Sequence, residues 1–188
     1  MNQMRRKDRE MDKDFAYAVI DKAEFGTLAT INEDGNPYCI PISIARKDDK
    51  IYLHSAKLGT KIENIMRNPK VCMSFVGDVH VPVELNDEKA PMVNEENIHK
   101  TLETRFTTEF ESAVVFGTIK IVDDRNEKIE GLKLITEKYT PNDMPYFEAA
   151  IDMSYNVTYV LRIDIEHITG KRKKFDKSGI EMKFKRME

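Results

Sequence analysis

IYLHSAKLGTKIENIMRNPKVCMSFV, residues 51–76, reads as strand, tight loop, short helix and strand. Ile51 and Leu53 fall on one face of the first strand and Tyr52 and His54 on the other, the period-two pattern of a strand. Lys57-Leu58-Gly59-Thr60-Lys61 opens the helix. Leu58, Ile62, Ile65 and Met66 then recur at helical spacing, and Asn68-Pro69 ends it. The second strand, residues 71–76, is apolar on both faces, as a buried strand is. A helix start offers free backbone N–H groups and the positive end of the helix dipole. Ser55, Lys57, Thr60 and Lys61 surround it with two hydroxyls and two ammonium groups. That donor set suits a phosphate; the alternative is a lysine-flanked surface loop.

Upstream, Met11, Phe15, Ala18 and Val19 predict an amphipathic helix over 12–24, preceded by an exposed or partner-packed basic run, Arg5 to Arg9. Gly26 to Ile31 and Pro37 to Ala45 read as strands joined by a turn containing Asp34-Gly35. Pro41 cannot donate to a ladder, so that position belongs at an edge or a bulge. Downstream, residues 77–97 read as an acidic excursion, with a short helix near 93–104. Residues 111–122 form a strand in which Gly117 marks a bend or close approach. Asp124 and Glu127 match a helix start. The helix carries Ile129, Leu132, Ile135 and Tyr139 on one face and closes at Pro141. In residues 142–153, Met144, Tyr146, Phe147 and Met153 are the candidate anchors. Residues 156–169 are the cleanest alternating strand, and Lys177-Ser178-Gly179 predicts a small hairpin.

About six strands with scattered helices, and no regular βαβ alternation, predict a mainly β (α+β) fold with an antiparallel Greek-key sheet. A closed or nearly closed barrel with peripheral helices would solve its edge problem. The 188 residues fit a single domain, with a helical arm over about 1–24 and a basic tail over about 172–188. That tail reads first as a solvated terminal segment, with a phosphate or partner contact as the alternatives.

Hydrophobic content of 40% supplies a core, and charged content of 34% with net charge −3 argues against a general nucleic-acid binder. From residue 171 onward the chain carries about +5 and the rest about −8. Cys39 and Cys72 lie in predicted strands without a CxxC, the pattern of buried, reduced, structural thiols. No apolar run is long enough to span a membrane and no secretory signal is visible, so a cytoplasmic protein is expected. The four histidines show no metal-ligand spacing, and no nucleophile–base pair stands out. Any chemistry would then be carried by a cofactor. His54, one residue before the loop, reads either as a strand-end histidine bonded to backbone or as a proton-handling group beside a ligand.

The run HSAKLGTKIENIMRNPKVCMSF resembles the phosphate-binding element of the flavin-binding split-barrel proteins related to pyridoxamine 5′-phosphate oxidase. With RRKDRE, FGTLAT, NPYCIPIS and ESAVVFGTIKIV in order, the chain from about residue 4 to 171 resembles their 5-nitroimidazole resistance (Nim) branch. The resemblance implies an FMN-binding split β-barrel, a homodimer with FMN at the interface, and no nucleic-acid or membrane partner. Tyr38, Cys39, Ile40, Pro41, Ile42 and Ser43 would run beside the flavin ring through backbone contacts. His54, Ser55 and Ala56 would line the ribityl and phosphate end. Lys61, with Lys57 and Thr60, would hold the phosphate. Ser112 stands where the oxidase branch has a glutamine reaching across from the other subunit, and serine is shorter. Lys171, after the last strand, would be a further contact. His54 matches a functional histidine of some Nim-like members and is the catalytic candidate. The oxidase branch ends in a Trp-containing segment with an arginine cluster; this chain has no Trp, which disfavours pyridoxamine phosphate oxidation. The implied activity is an FMN-dependent reductase of small oxidised molecules such as nitroaromatics. The rivals are a non-enzymatic flavin-binding or electron-carrying module, a haem-binding split barrel, and a basic-tail nucleic-acid binder.

Overall fold

Local chemistry starts the elements where the pattern predicts. The computed structural model describes residues 4–82 and 92–183. After a 3₁₀ turn at Lys7–Arg9 come strand β1 (Glu10–Met11) and helix α1 (Lys13–Lys22), whose Asp12 cap accepts from Phe15 N. Strands β2 (Gly26–Ile31) and β3 (Pro37–Ile42) form a hairpin, and β4 (Ala45–Lys47) and β5 (Lys50–Ala56) a second. Helix α2 (Thr60–Arg67), strand β6 (Lys70–His80) and helix α3 (Ile98–Arg105) follow. Strand β7 (Glu109–Ile121) leads into helix α4 (Arg125–Tyr139), where Asp124 Oδ1 accepts from Glu127 N at 2.8 Å. A 3₁₀ helix at Pro141–Tyr146, helix α5 (Phe147–Ser154) and strand β8 (Thr158–Lys173) complete the order.

All strand pairings are antiparallel, in the order β3-β2-β6-β7-β8-β5-β4, with β1 added to β8. The expected closed barrel is not formed: the path is open, and β3 and β4 lie at its two ends without pairing. The edges are managed differently. β3 carries Pro37 and Pro41, which have no N–H to offer a neighbour, and β4 is only three residues long. Pro41 thus sits on an edge strand, opposite Thr27. Ile42 and Ala45 are three residues apart and so at most about 11 Å apart, yet they belong to opposite ends of the path. The sheet must therefore be strongly curled, with an unladdered seam bridged by Ser43 and Ile44. The Tyr139 hydroxyl holds that bridge, accepting from Ile44 N at 3.0 Å and lying 2.7 Å from the Glu24 carbonyl oxygen.

The main core joins Leu28, Ile51, Leu53, Met73, Phe75, Val115, Leu161 and Ile163 from the sheet to Ala16, Val19 and Ile20 of α1 and Ile62 and Ile65 of α2. A second cluster, Tyr52, Val122 and Val160 with Leu132 and Leu134, forms where α4 covers the other face of β5 and β8. Tyr52 therefore does not face water as alternation alone implies. Its hydroxyl donates to Glu127 Oε1 at 2.9 Å.

Several other expectations are corrected. Leu58 and Met66 are 87% and 70% exposed, because α2 turns Asn64 inward instead. Asn64 Nδ2 donates to Thr30 Oγ1 at 3.0 Å and Asn32 Oδ1 at 2.8 Å, tying α2 to the β2–β3 hairpin. Tyr146 and Met153 are exposed, whereas Phe147 is buried. Cys39 is exposed and Cys72 half-buried. The arm from Arg6 is not loose: Arg9 pairs with Glu181, and Glu10 and Met11 pair with Lys171 and Gly170. The tail forms the expected small hairpin, with Phe175 bridging Glu181 around Gly179 at φ +75°. Arg172 is buried, so this start of the tail is part of the fold. The last five residues of the tail, 184–188, and the middle of the acidic excursion, 83–91, lie outside the described residues.

Candidate functional site

The loop between β5 and α2 carries two lysines, Lys57 and Lys61, that make no ion pair among the described residues. Gly59 stands at φ +112°, a conformation that side chains disfavour, and ends in open space. It occupies the cap position of α2 with no side-chain cap bond, so the first turn keeps its N–H groups unmasked by a side chain. Ile62 N and Glu63 N both bond to the Gly59 carbonyl. Thr60, in the turn they close, is exposed. It lines an open groove with Asn32, Asp34, Glu63 and Arg67.

Lys61 is half-buried, and burial alone pushes its pKa below the usual lysine range. Among the described residues neither Lys61 nor Lys57 has a carboxylate partner. Several other lysines are paired: Lys22 with Asp78 and Glu111, Lys47 with Glu130, Lys70 with Glu166, Lys120 with Asp164. Lys57 Nζ instead lies 5.3 Å from the Tyr159 ring centroid. Ser55, cross-strand from Tyr159, is buried on the core side of β5, and Ala56 is exposed opposite Thr158.

His54 projects from the opposite face to Leu53, as alternation predicts. It is exposed and makes no hydrogen bond to the described residues, so the backbone-bonded reading is not realised. Its side chain is largely exposed in the chain, yet partial desolvation and then the Lys61 ammonium lower its pKa below 6.5. The unfolded chain takes this proton first, so the contribution of His54 to stability is complete above about pH 6.5. It declines as pH falls toward the folded-state pKa. Denaturant titration across that window should show a shallower pH dependence in His54→Gln than in wild type. Equal slopes would overturn the assignment.

The sequence-predicted residues fall in three places. Tyr38 to Ile42 form edge strand β3, whose second side is unpaired among the described residues, and Ser43 begins the seam. Along β3, Tyr38, Ile40 and Ile42 are half-buried, and Cys39 and Pro41 exposed. The 54–61 group lies at the Thr158 end of β8, and α2 behind it is tied by Asn64 to Thr30 of β2 and Asn32 of the following turn. Ser112 and Lys171 are cross-strand partners on β7 and β8, with Val76 completing the row. Lys171 is thirteen residues along β8 from Thr158, about 40 Å of extended strand. One chain does not bring these two to the loop. They lie on the sheet face that carries Ala29, Cys72, Ser74, Val114 and Phe116, half-buried side chains without charge.

Two features were not read from the sequence. Lys128 is buried on α4 near Lys57, and Tyr139 reaches Ile44. The first had a signal, a lysine on the helix face adjoining Leu132 and Ile135; the second had none without the fold.

A family model described as pyridoxamine 5′-phosphate oxidase matches residues 12–172. No curated protein is matched by the chain. Among solved structures, the chain is similar to a protein named as a candidate 5-nitroimidazole antibiotic resistance protein from Bacteroides thetaiotaomicron. That match has 24% identity over 86% of this chain and 84% of that one, with a TM-score of 0.64. A flavocytochrome from Azotobacter vinelandii matches at 16% identity over 89% of this chain and 72% of that one, TM-score 0.67. An FAD and heme binding protein from Mycobacterium smegmatis matches at 17% over 88% and 73%, TM-score 0.67. At these identities the likeness is one of fold. Among the described residues no helix is long and apolar enough to cross a membrane.

Proposed function

Because the chain belongs to the pyridoxamine 5′-phosphate oxidase family, we propose that it is an FMN-dependent reductase of small oxidised molecules, of the nitroaromatic class, in the Nim-like branch of that family. The observation that carries the reading is the carboxylate-free pair of ammonium groups, Lys57 and Lys61, around the uncapped start of α2.

The donor set fits a flavin monophosphate. A phosphate dianion accepts several hydrogen bonds and neutralises charge. Lys61 and Lys57 supply the charge, Thr60 a hydroxyl, and the Gly59–Lys61 backbone its N–H groups. An uncompensated, half-buried Lys61 is the arrangement expected of a residue whose counter-ion is a ligand. The exposed edge of β3 offers backbone N–H and C=O groups to a planar heteroaromatic ring, except at the two prolines. When bound, FMN supplies the two-electron chemistry that the side chains lack. His54, neutral near pH 7, holds or yields a proton at its imidazole nitrogen beside the ligand. The half-buried face that carries Ser112 and Lys171 is where a second copy of the chain would dock, bringing those residues to its partner's ligand. The half-buried outer row through Ala29, Cys72 and Phe116 supports that face as the dimer surface.

The absorption spectrum of the purified protein, before and after added FMN, tests the cofactor. Flavin bands that co-elute with a dimer are expected. A colourless protein that ignores riboflavin phosphate would refute the reading. A Soret band on adding haem, with no flavin uptake, would replace it. Bound FMN without turnover of a nitro compound plus reductant would leave only a flavin-binding or electron-carrying module.

A further inference from the structure

We propose that the recess where α1 leads into β2 is the substrate pocket, and that it selects a small aromatic molecule that is uncharged or cationic over an anionic one. The inference rests on the flavin reading above and adds to it the place and the charge class of the substrate. It comes from a cavity which that reading leaves unused.

The recess holds about 370 Å³, room for a molecule of one or two rings. Thr27 of β2 and Ser74 of β6, a cross-strand pair, line it, and neither hydroxyl makes a hydrogen bond among the described residues. Phe25 and Val76, 54% and 59% exposed, supply apolar walls. Apolar walls beside unused hydroxyls suit an aromatic ring with a polar edge. The β6–β7 register shifts between Val76 and Val79, and Gly77 and Asp78 of that bulge line the opening. A methyl at Gly77 would lie 3.0 Å from Lys22 Cε and 3.1 Å from Glu111 Cβ, so glycine leaves room for the Lys22 chain at the mouth. Thr27 is opposite Pro41 on β3, and the Tyr139 hydroxyl that holds Ile44 lies 2.7 Å from the Glu24 carbonyl oxygen. The recess therefore adjoins the end of the segment proposed to run beside the flavin ring.

The charge of the lining is negative. Against Glu24 and Asp78 stands one ammonium, Lys22, and it is spent on Asp78 at 2.8 Å and on Glu111 at 2.6 Å. These contacts push the Lys22 pKa above the ordinary lysine range and the Asp78 pKa below the ordinary carboxylate range, so the balance holds through neutral pH. The C-terminus of α1, capped at Ala23, adds the negative end of its dipole. An entering anion meets carboxylates and no uncommitted cation of the lining, whereas a protonated amine is attracted. The 57–61 loop has the opposite sign, so the two sites together sort a phosphate-bearing cofactor from a phosphate-free substrate. Thr27 and Ser74 stand on the sheet face assigned above to a second copy. That copy would roof the recess and strengthen its field by excluding water.

The full-length protein should be titrated calorimetrically, with and without FMN, with para-nitrobenzylamine, para-nitrobenzyl alcohol and para-nitrobenzoate, which share a ring and differ in charge. The amine and the alcohol are expected to bind about ten-fold more tightly than the carboxylate, or better. Phe25→Ala should weaken the amine and the alcohol about five-fold or more, and Glu24→Lys should shrink the amine-over-carboxylate ratio by about as much. Both side chains are exposed, so both variants should fold and hold FMN within about two-fold of wild type. A carboxylate that binds as tightly as the amine, or a series unmoved by both variants, would overturn the proposal. If FMN binds and none of the three ligands does, the flavin reading stands and the recess falls. If FMN fails to bind but the amine still depends on Phe25 and Glu24, the recess stands and the flavin reading falls.

Discussion

Lys61→Ala is expected to weaken FMN binding by about ten- to a hundred-fold while leaving the ligand-free fold intact. A hydrogen bond to a charged group contributes about 1.5–3 kcal/mol, and each 1.4 kcal/mol is roughly a factor of ten in Kd. Lys61 has no carboxylate to abandon, and its burial already disfavours its charge. Its removal should therefore leave the melting temperature of the ligand-free protein unchanged or slightly higher. Measuring both separates ligand loss from fold loss. Unaltered FMN affinity in Lys61→Ala would remove the phosphate from the start of α2. Lys57→Ala should have the smaller effect, since its ammonium is also held over Tyr159.

The largest effect on stability is expected at Gly117→Ala. The β7–β8 register slips between Phe116 and Gly117, and there the two backbones come close. A methyl at Gly117 would sit 2.3 Å from the Asp164 carbonyl oxygen and 2.9 Å from Ile163 Cγ2. The first is backbone in the middle of a paired strand and cannot swing aside. Overpacking of this kind costs about 3 kcal/mol or more. For a chain of this size that lowers Tm by about 6–12 °C, as a thermal melt would show. A melt within about 2 °C of wild type would mean that the sheet relaxes freely at this bulge.

Sequence reading reached the elements whose cause is local. Asp12 and Asp124 cap their helices, the Asp34-Gly35 turn closes its hairpin, and Gly117 marks a close approach. The reading failed where a distant element decides burial. Tyr52 alternates as if facing water, but α4 arrives from more than seventy residues away and covers it. Leu58 and Met66 fit the helical period, but the hydrogen-bonding needs of Thr30 and Asn32 rotate Asn64 inward instead. The barrel inference assumed that exposed edges must be joined; prolines on β3 and the brevity of β4 blunt them without joining. The loop lysines were legible because their spacing is local. The burial of Lys128 was not legible, because only the fold brings the Tyr155 carbonyl and ring against it.

The Ser43–Ile44 bridge works as a tether. Its short span limits how far the two rims of the curled sheet can spread, and the Tyr139 phenol clamps it against the tail of α4. Ring-shaped cargo cannot be admitted by unrolling the sheet while that clamp holds. The outer side of β3, unpaired among the described residues, is open to solvent without any such movement.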